Sequence, residues 1–274
     1  MDNAELAGLG DELYDAWKTR RILSPLSTRV PTLTIDHAYA IQQRMVARRL
    51  EEGEWVIGKK IGVTSEVVQQ MLDVHQPDFG ILLSGMHYED GSAIPMDTLI
   101  QPRAEGEIVF YLKHALRGPG ISAEQVLAAT DSVAACFEIV DSRIMDWKIR
   151  IQDTVADNAS CGVFVIGKER VAPAALDLTA CEMVIEKNGE VVATGVGAAA
   201  LGHPANAVAW LANELGARGI SLNAGEPILS GSLAPLIPVA AGDALTVRID
   251  GIGSCTVSFT ETDEGLPASS HPDN

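Results

Sequence analysis

The sequence is short of cations. Across 274 residues, 20 Lys and Arg stand against 37 Asp and Glu, a formal charge of −17. A nucleic-acid binder needs a cationic surplus to displace counterions from phosphates, and no Lys/Arg-rich stretch supplies one locally. The same shortage argues against attraction to an anionic membrane surface. No apolar run approaches the roughly 18 residues of a membrane-spanning helix. The opening segment, MDNAELAGLGDELYDAW, lacks the basic start and apolar stretch of a secretion signal, so none is expected. Cysteine is scarce too. Cys136, Cys161, Cys181 and Cys255 form no close pair, which argues against a cysteine-built zinc site. Three of the four sit among apolar or small residues and read as reduced core residues, which suits a cytoplasmic protein. P-loop, GxSxG and HExxH patterns are absent. What is present is 47% hydrophobic residues, the composition of a globular domain.

The pattern changes along the chain. In residues 1–55, Leu6, Leu9, Leu13 and Trp17 recur at the spacing of one helix face. A second helix is expected over DHAYAIQQRMVARRLEEG, capped by Thr34 or Asp36 and stopped by Gly53. Residues 56–260 read mostly as strands with short helices between them. VIGKKIGVTS, EIVFYLKHAL, SVAACFEIVDS and CGVFVIG are strand-like, and HQPDFGIL reads as a loop. Asn188-Gly189 joins two β runs as a hairpin. A helix starts near Pro204. The acidic tail, 261–274, has no periodicity and is expected to be disordered. Helices first and strands afterwards give an α+β class. Gly195, Gly197 and Ala200 imitate a dinucleotide-binding GxGxxA, but a hairpin arm precedes them and the next helix starts too late to cradle a pyrophosphate.

The acids in QPRAEGEIVF carry the most chemistry. Glu105 and Glu107 are two apart on a predicted strand, so they share a face, with only Gly106 between them. Glu138 lies inside VAACFEIV, too apolar a run for a carboxylate without a partner. Three converging carboxylates would form a hard oxygen site for Mg²⁺ or Mn²⁺. The plainer alternative is a solvated strand face, with Glu138 paired to an Arg. Lys59 and Lys60 are either lysines snorkelling from a strand edge or a fixed cation beside the acids. Asp78 in the HQPDFG loop is either turn chemistry or a functional acid. Arg143 is expected to pair with a carboxylate, and Asp153, Asp157 and Asn158 to cap or turn.

Taken together, KKIGVTS, HQPDFG, QPRAEGEIVF, FEIVDSRIMDWKI, DTVADNASCG, EKNGEVVATGVGAAALGHP, ILSGS and GIGS resemble the 2-hydroxypenta-2,4-dienoate hydratases of the fumarylacetoacetate hydrolase superfamily. The resemblance runs from about Glu12 to Phe259. It implies an N-terminal helical region followed by a mixed β-sheet roll. It also implies an Mg²⁺ or Mn²⁺ ion on Glu105, Glu107 and Glu138, an active-site lysine at Lys60, and an acid/base at Asp78. Ser232 matches a small hydroxyl residue near the substrate carboxylate. The implied substrate is a small anionic 2-hydroxydienoate from the meta-cleavage of aromatics. The implied assembly is a homo-oligomer, pentamer or decamer, with possible association with the sister decarboxylase or the downstream aldolase. That decarboxylase, which acts on 4-oxalocrotonate, shares the E-x-E and VADNAS elements and is the alternative activity.

Overall fold

The computed structural model describes residues 1–261, so the tail expected to be disordered lies, apart from Glu261, outside the described residues. The N-terminal region forms α1 (Asn3–Thr19), α2 (Leu26–Arg29) and α3 (Ile35–Glu51). Asp2 caps α1 and Thr34 caps α3, each side chain accepting from the third backbone N–H. The apolar faces of α1 and α3 pack on each other and on the sheet through Leu13, Tyr14, Ile41 and Met45.

The rest of the chain alternates strands and short helices. In order these are β1 (Val56–Gly62), α4 (Glu66–Met71), β2 (Asp78–Leu83), β3 (His87–Glu89), β4 (Ala93–Pro95) and β5 (Pro102–Leu112). Then come α5 (Ala123–Ala129), β6 (Thr130–Asp141), α6 (Ile151–Ala156), β7 (Cys161–Ile166), β8 (Glu182–Lys187) and β9 (Glu190–Val196). The chain closes with α7 (Pro204–Ala217), β10 (Pro227–Leu229), β11 (Ile237–Pro238), β12 (Ala244–Ile249) and β13 (Gly253–Thr260). Asn188 and Gly189, both at positive φ, turn the hairpin between β8 and β9 as the sequence predicts. His203 caps α7 and Pro204 opens it. Gly195 lies in β9 and Gly197 opens a single 3-10 turn, and both precede α7 by several residues, so the α7 N-terminus does not sit at these glycines.

Two mixed sheets result. One runs β2-β1-β10-β5-β6-β7-β3 with β11 added on β5, and the other runs β4-β13-β12-β8-β9. The long antiparallel pair β5–β6 is the centre of the first. One face of β5, with Ala104, Ile108 and Phe110, enters the main core. Gly106 lies on that same face. A Cβ there would stand 2.6 Å from Met183 Sδ and 3.1 Å from Val247 Cγ2, so glycine is what lets the second sheet close on the first. The opposite face carries Glu105 and Glu107 at one end. Beyond them it carries Val109 and Tyr111, which join a smaller apolar cluster with Ala134, Cys136, Phe164 and Leu229. Asp78 does not sit in a loop; the strand pairs from that residue onward, Gly62 opposite Asp78. Pro77 marked the strand's start, where proline is tolerated.

Candidate metal centre and active site

The register of β5 against β6 builds the acid cluster. Glu105 stands directly opposite Glu138, and Glu107 follows on the same face. Their carboxylate oxygens converge to within 4.8 Å of one another. Glu107 and Glu138 are completely buried, while Glu105 keeps some exposure. Strand period separates the two lysines of β1. Lys59 turns away and pairs with Glu226 at 2.8 Å. Lys60 turns inward, and its Nζ lies 3.0 Å from Glu138 Oε1. That contact is an ion pair by distance, without the alignment of a hydrogen bond. Among the described residues, Glu107 Oε1, both Glu138 oxygens and Asp78 Oδ1 are buried with no hydrogen-bond partner. So Glu138 has a lysine beside it rather than an arginine, and Glu107 is no solvated strand face.

Asp78 enters from β2, opposite β1. It is 1% exposed, and its Oδ2 accepts from Thr154 Oγ1 at 3.4 Å. Gly62 makes this possible, because a Cβ there would meet Asp78 Oδ1 at 2.3 Å. Glu107 Oε2 accepts from the backbone N–H of Gly231 at 2.8 Å, so the SGS turn reaches the cluster through its main chain. Ser232 from that turn bonds locally instead, donating to the Ala234 carbonyl at 2.6 Å. The structure thus brings Glu105, Glu107, Glu138, Lys60 and Asp78 together, with the Ser232 hydroxyl turned onto its own loop.

The electrostatics follow from burial. Loss of solvent, with Glu138 close by, pushes Glu105 up to about 8. Burial and the other two acids push Glu107 well above the usual carboxylate range. Burial, opposed by Lys60, pushes Asp78 up to about 6. Burial would lower Lys60, but Glu138 and Asp78 outweigh it and hold the ammonium above its ordinary value. Burial and Glu138 also push the Cys161 thiol well up, so it stays protonated and offers no soft thiolate.

A divalent cation fits this chemistry. The donors are all oxygen, they converge, and the buried oxygens without partners need a positive charge that one lysine does not supply. A pH dependence follows. The metal-free cluster holds protons at neutral pH, and binding must displace them. Affinity for Mg²⁺ should therefore rise with pH between 6.5 and 8.5, by up to about tenfold per unit for each proton displaced. Calorimetry in buffers of different ionisation enthalpy should show proton release. An affinity that is flat over that range would contradict the raised carboxylates.

Two supporting residues lie inside motifs quoted above, but nothing in those motifs assigns them a role. Thr154, in DTVADNASCG, meets Asp78. Gln101 ties the strand start to the next loop, donating through Nε2 to the carbonyls of Ser142 and Ile144, both at 2.9 Å. Arg143 pairs with Asp157 as expected.

Fold and site together define a class. Residues 56–260 match the family model described as fumarylacetoacetate (FAA) hydrolase C-terminal, and the chain belongs to that family. Within it, the chain is 61% identical over 254 residues to a 2-hydroxyhexa-2,4-dienoate hydratase of Comamonas testosteroni, covering 92% of this chain and 96% of that one. It is 59% identical to a 2-hydroxypent-2,4-dienoate hydratase of Pseudomonas putida, over 81% of this chain and the whole of that one. Among solved structures, 4-oxalocrotonate decarboxylase from Pseudomonas putida G7, complexed with magnesium and adipate, superposes with a TM-score of 0.92 at 35% identity, covering 94% and 98% of the two chains.

Proposed function

We propose that this chain adds water to 2-hydroxypenta-2,4-dienoate, or to a homologue extended at C5, giving the 4-hydroxy-2-oxo acid. The observation that carries this reading is the buried convergence of Glu105, Glu107, Glu138 and Lys60, in a chain whose hydratase relatives reach 61% identity. The three glutamates would hold Mg²⁺ or Mn²⁺, which when bound supplies fixed positive charge favouring the anionic form of the substrate's 2-oxygen. Lys60 adds a second charge and would face the substrate carboxylate. Ser232 would reach that carboxylate on turning its hydroxyl away from Ala234.

Proton balance divides the reaction in two. The 2-hydroxyl loses a proton and C5 gains one, giving a 2-oxo-3-enoate. Water then adds its oxygen at C4 and a hydrogen at C3. Asp78, titrating at about 6, can take and return a proton near neutral pH, and Thr154 holds its carboxylate in place. Asp78→Asn should therefore keep its metal and lose about 10²- to 10⁴-fold in kcat, the range for a lost acid/base. Steady-state turnover alongside metal analysis checks this, and unchanged turnover would remove Asp78 from the mechanism.

The structural likeness to a decarboxylase supports a second reading, loss of CO₂ from 2-oxo-3-hexenedioate on the same residues. The two are separated by giving purified protein with Mg²⁺ each substrate in turn. Hydration consumes the dienoate absorbance without CO₂, whereas decarboxylation releases CO₂ from the diacid. We further propose a cytoplasmic homo-oligomer, pentamer or decamer, a reading supported by the family resemblance and checked by light scattering.

A further inference from the structure

Asp78 stands at the start of β2, the outermost strand of its sheet, paired only with β1 among the described residues. An outer strand leaves alternate backbone groups without a ladder. Two amide side chains cover those groups here. Gln42 of α3, 2% exposed, donates through Nε2 to the Phe79 carbonyl at 2.9 Å and to the Val155 carbonyl at 3.1 Å. The Asn158 amide engages both sides of Ile81, accepting from its N–H at 2.8 Å and donating to its carbonyl at 2.9 Å. Residues 79 and 81 are two apart, as the strand period requires of groups on one edge.

Gln42 has a further consequence. Its two acceptors adjoin the two side chains that meet at the site: Phe79 follows Asp78, and Val155 follows Thr154. Thr154 in turn lies 3.1 Å from Ser160 Oγ, so β2, α6 and the turn after it converge on the Asp78 carboxylate. Tyr39, also on α3, stacks on Phe79 with ring centroids 4.4 Å apart. One helix thus fixes β2 by a ring contact and a bifurcated amide. We infer that Gln42 is a positioning residue for the proposed reaction: by tying Phe79 to Val155, it sets where the Asp78 carboxylate sits relative to Thr154 and Lys60. It lies outside the residues that the family model matches, which makes the N-terminal helices part of the site's frame.

This inference rests on the role proposed for Asp78, and a double-mutant cycle separates the two. Gln42→Met keeps the side chain's length and removes both donors. It should lower kcat by about tenfold to a hundredfold, the scale of a displaced reacting group, with KM and Mg²⁺ affinity unchanged. On an Asp78→Asn background the same change should lower kcat no further, because its effect passes through the lost carboxylate. Gln42→Glu, which when neutral keeps one donor, should fall between Gln42→Met and wild type and carries the test if the methionine variant fails to fold. Wild-type kcat in Gln42→Met, or a loss that adds fully to that of Asp78→Asn, would overturn the inference while leaving the Asp78 role standing. Unchanged kcat in Asp78→Asn would sink both.

Discussion

Glu107→Gln should lose metal and turnover together, with kcat down by about a hundredfold to a thousandfold, the scale seen when a group supporting developing charge is removed. The reason lies in what each Glu107 oxygen does. Oε2 accepts from the Gly231 N–H at 2.8 Å, and Oε1 is buried with no hydrogen-bond partner among the described residues, beside Glu105 and Glu138. A carboxylate serves both sides at once, but an amide has a single acceptor oxygen. If that oxygen keeps Gly231, the NH₂ points at the cation position. If it faces the cation, the NH₂ opposes the Gly231 N–H. In the metal-free protein burial and the neighbouring acids already keep the Glu107 carboxyl protonated, so the amide replaces one neutral group with another. The metal-free variant should therefore melt no lower than metal-free wild type, while the stabilisation that Mg²⁺ gives wild type disappears. Melting curves with and without Mg²⁺, metal analysis and turnover together distinguish this from unfolding. A variant with normal metal content and normal turnover would remove Glu107 from the ion's ligand set.

Much of this arrangement was legible because it is local. The E-x-E spacing and the β period put Glu105 and Glu107 on one face, and the apolar run around Glu138 announced a buried acid. The same period separates Lys59 from Lys60 once β1 is recognised as a strand. The resemblance to the hydratases then named the residues to compare. What was not legible depends on contacts distant in sequence. Gln42 meets Val155 across 113 positions, and Thr154 meets Asp78 across 76. A glutamine on an amphipathic helix carries no sign that it will cap an outer strand. The Pro and Gly flanking Asp78 are turn formers, so HQPDFG looks like a loop. The Asp78 strand is held on one side by side chains, and nothing in HQPDFG signals them.

Arg143 carries the largest expected effect on stability. The residue is fully buried, and each of its three guanidinium nitrogens donates. Nε donates to Asp157 Oδ1 at 2.5 Å, Nη2 to the Asp157 carbonyl at 2.5 Å, and Nη1 to the carbonyls of Asp141 and Cys161 at 2.5 and 3.1 Å. The Arg143 N–H adds a bond to Asp157 Oδ2 at 2.9 Å. These bonds surround a turn in which Asn158, Ala159 and Ser160 all take positive φ, between 52° and 55°. Each left-handed residue costs roughly 1–2 kcal/mol, so the turn persists only where its surroundings hold it. Arg143→Met leaves Asp157 buried without its cation and the turn without its brace. The expected loss is about 3–5 kcal/mol, or roughly 10 °C in Tm for a chain of this size. Because Asn158 grips Ile81 from this turn, the hold on β2 should loosen as well, and kcat should fall even where the variant stays folded. Arg143→Lys should recover little, since a point charge cannot reach carbonyls on β6 and β7 and the Asp157 carboxylate together. Pairing Arg143→Met with Asp157→Asn should restore part of the stability, because the stranded charge is then gone. Chemical denaturation of the two single variants and the double reads this directly. A single Arg143→Met variant within about 1 kcal/mol of wild type, the ordinary size of a point-mutation effect, would show that the turn is held by something other than the guanidinium.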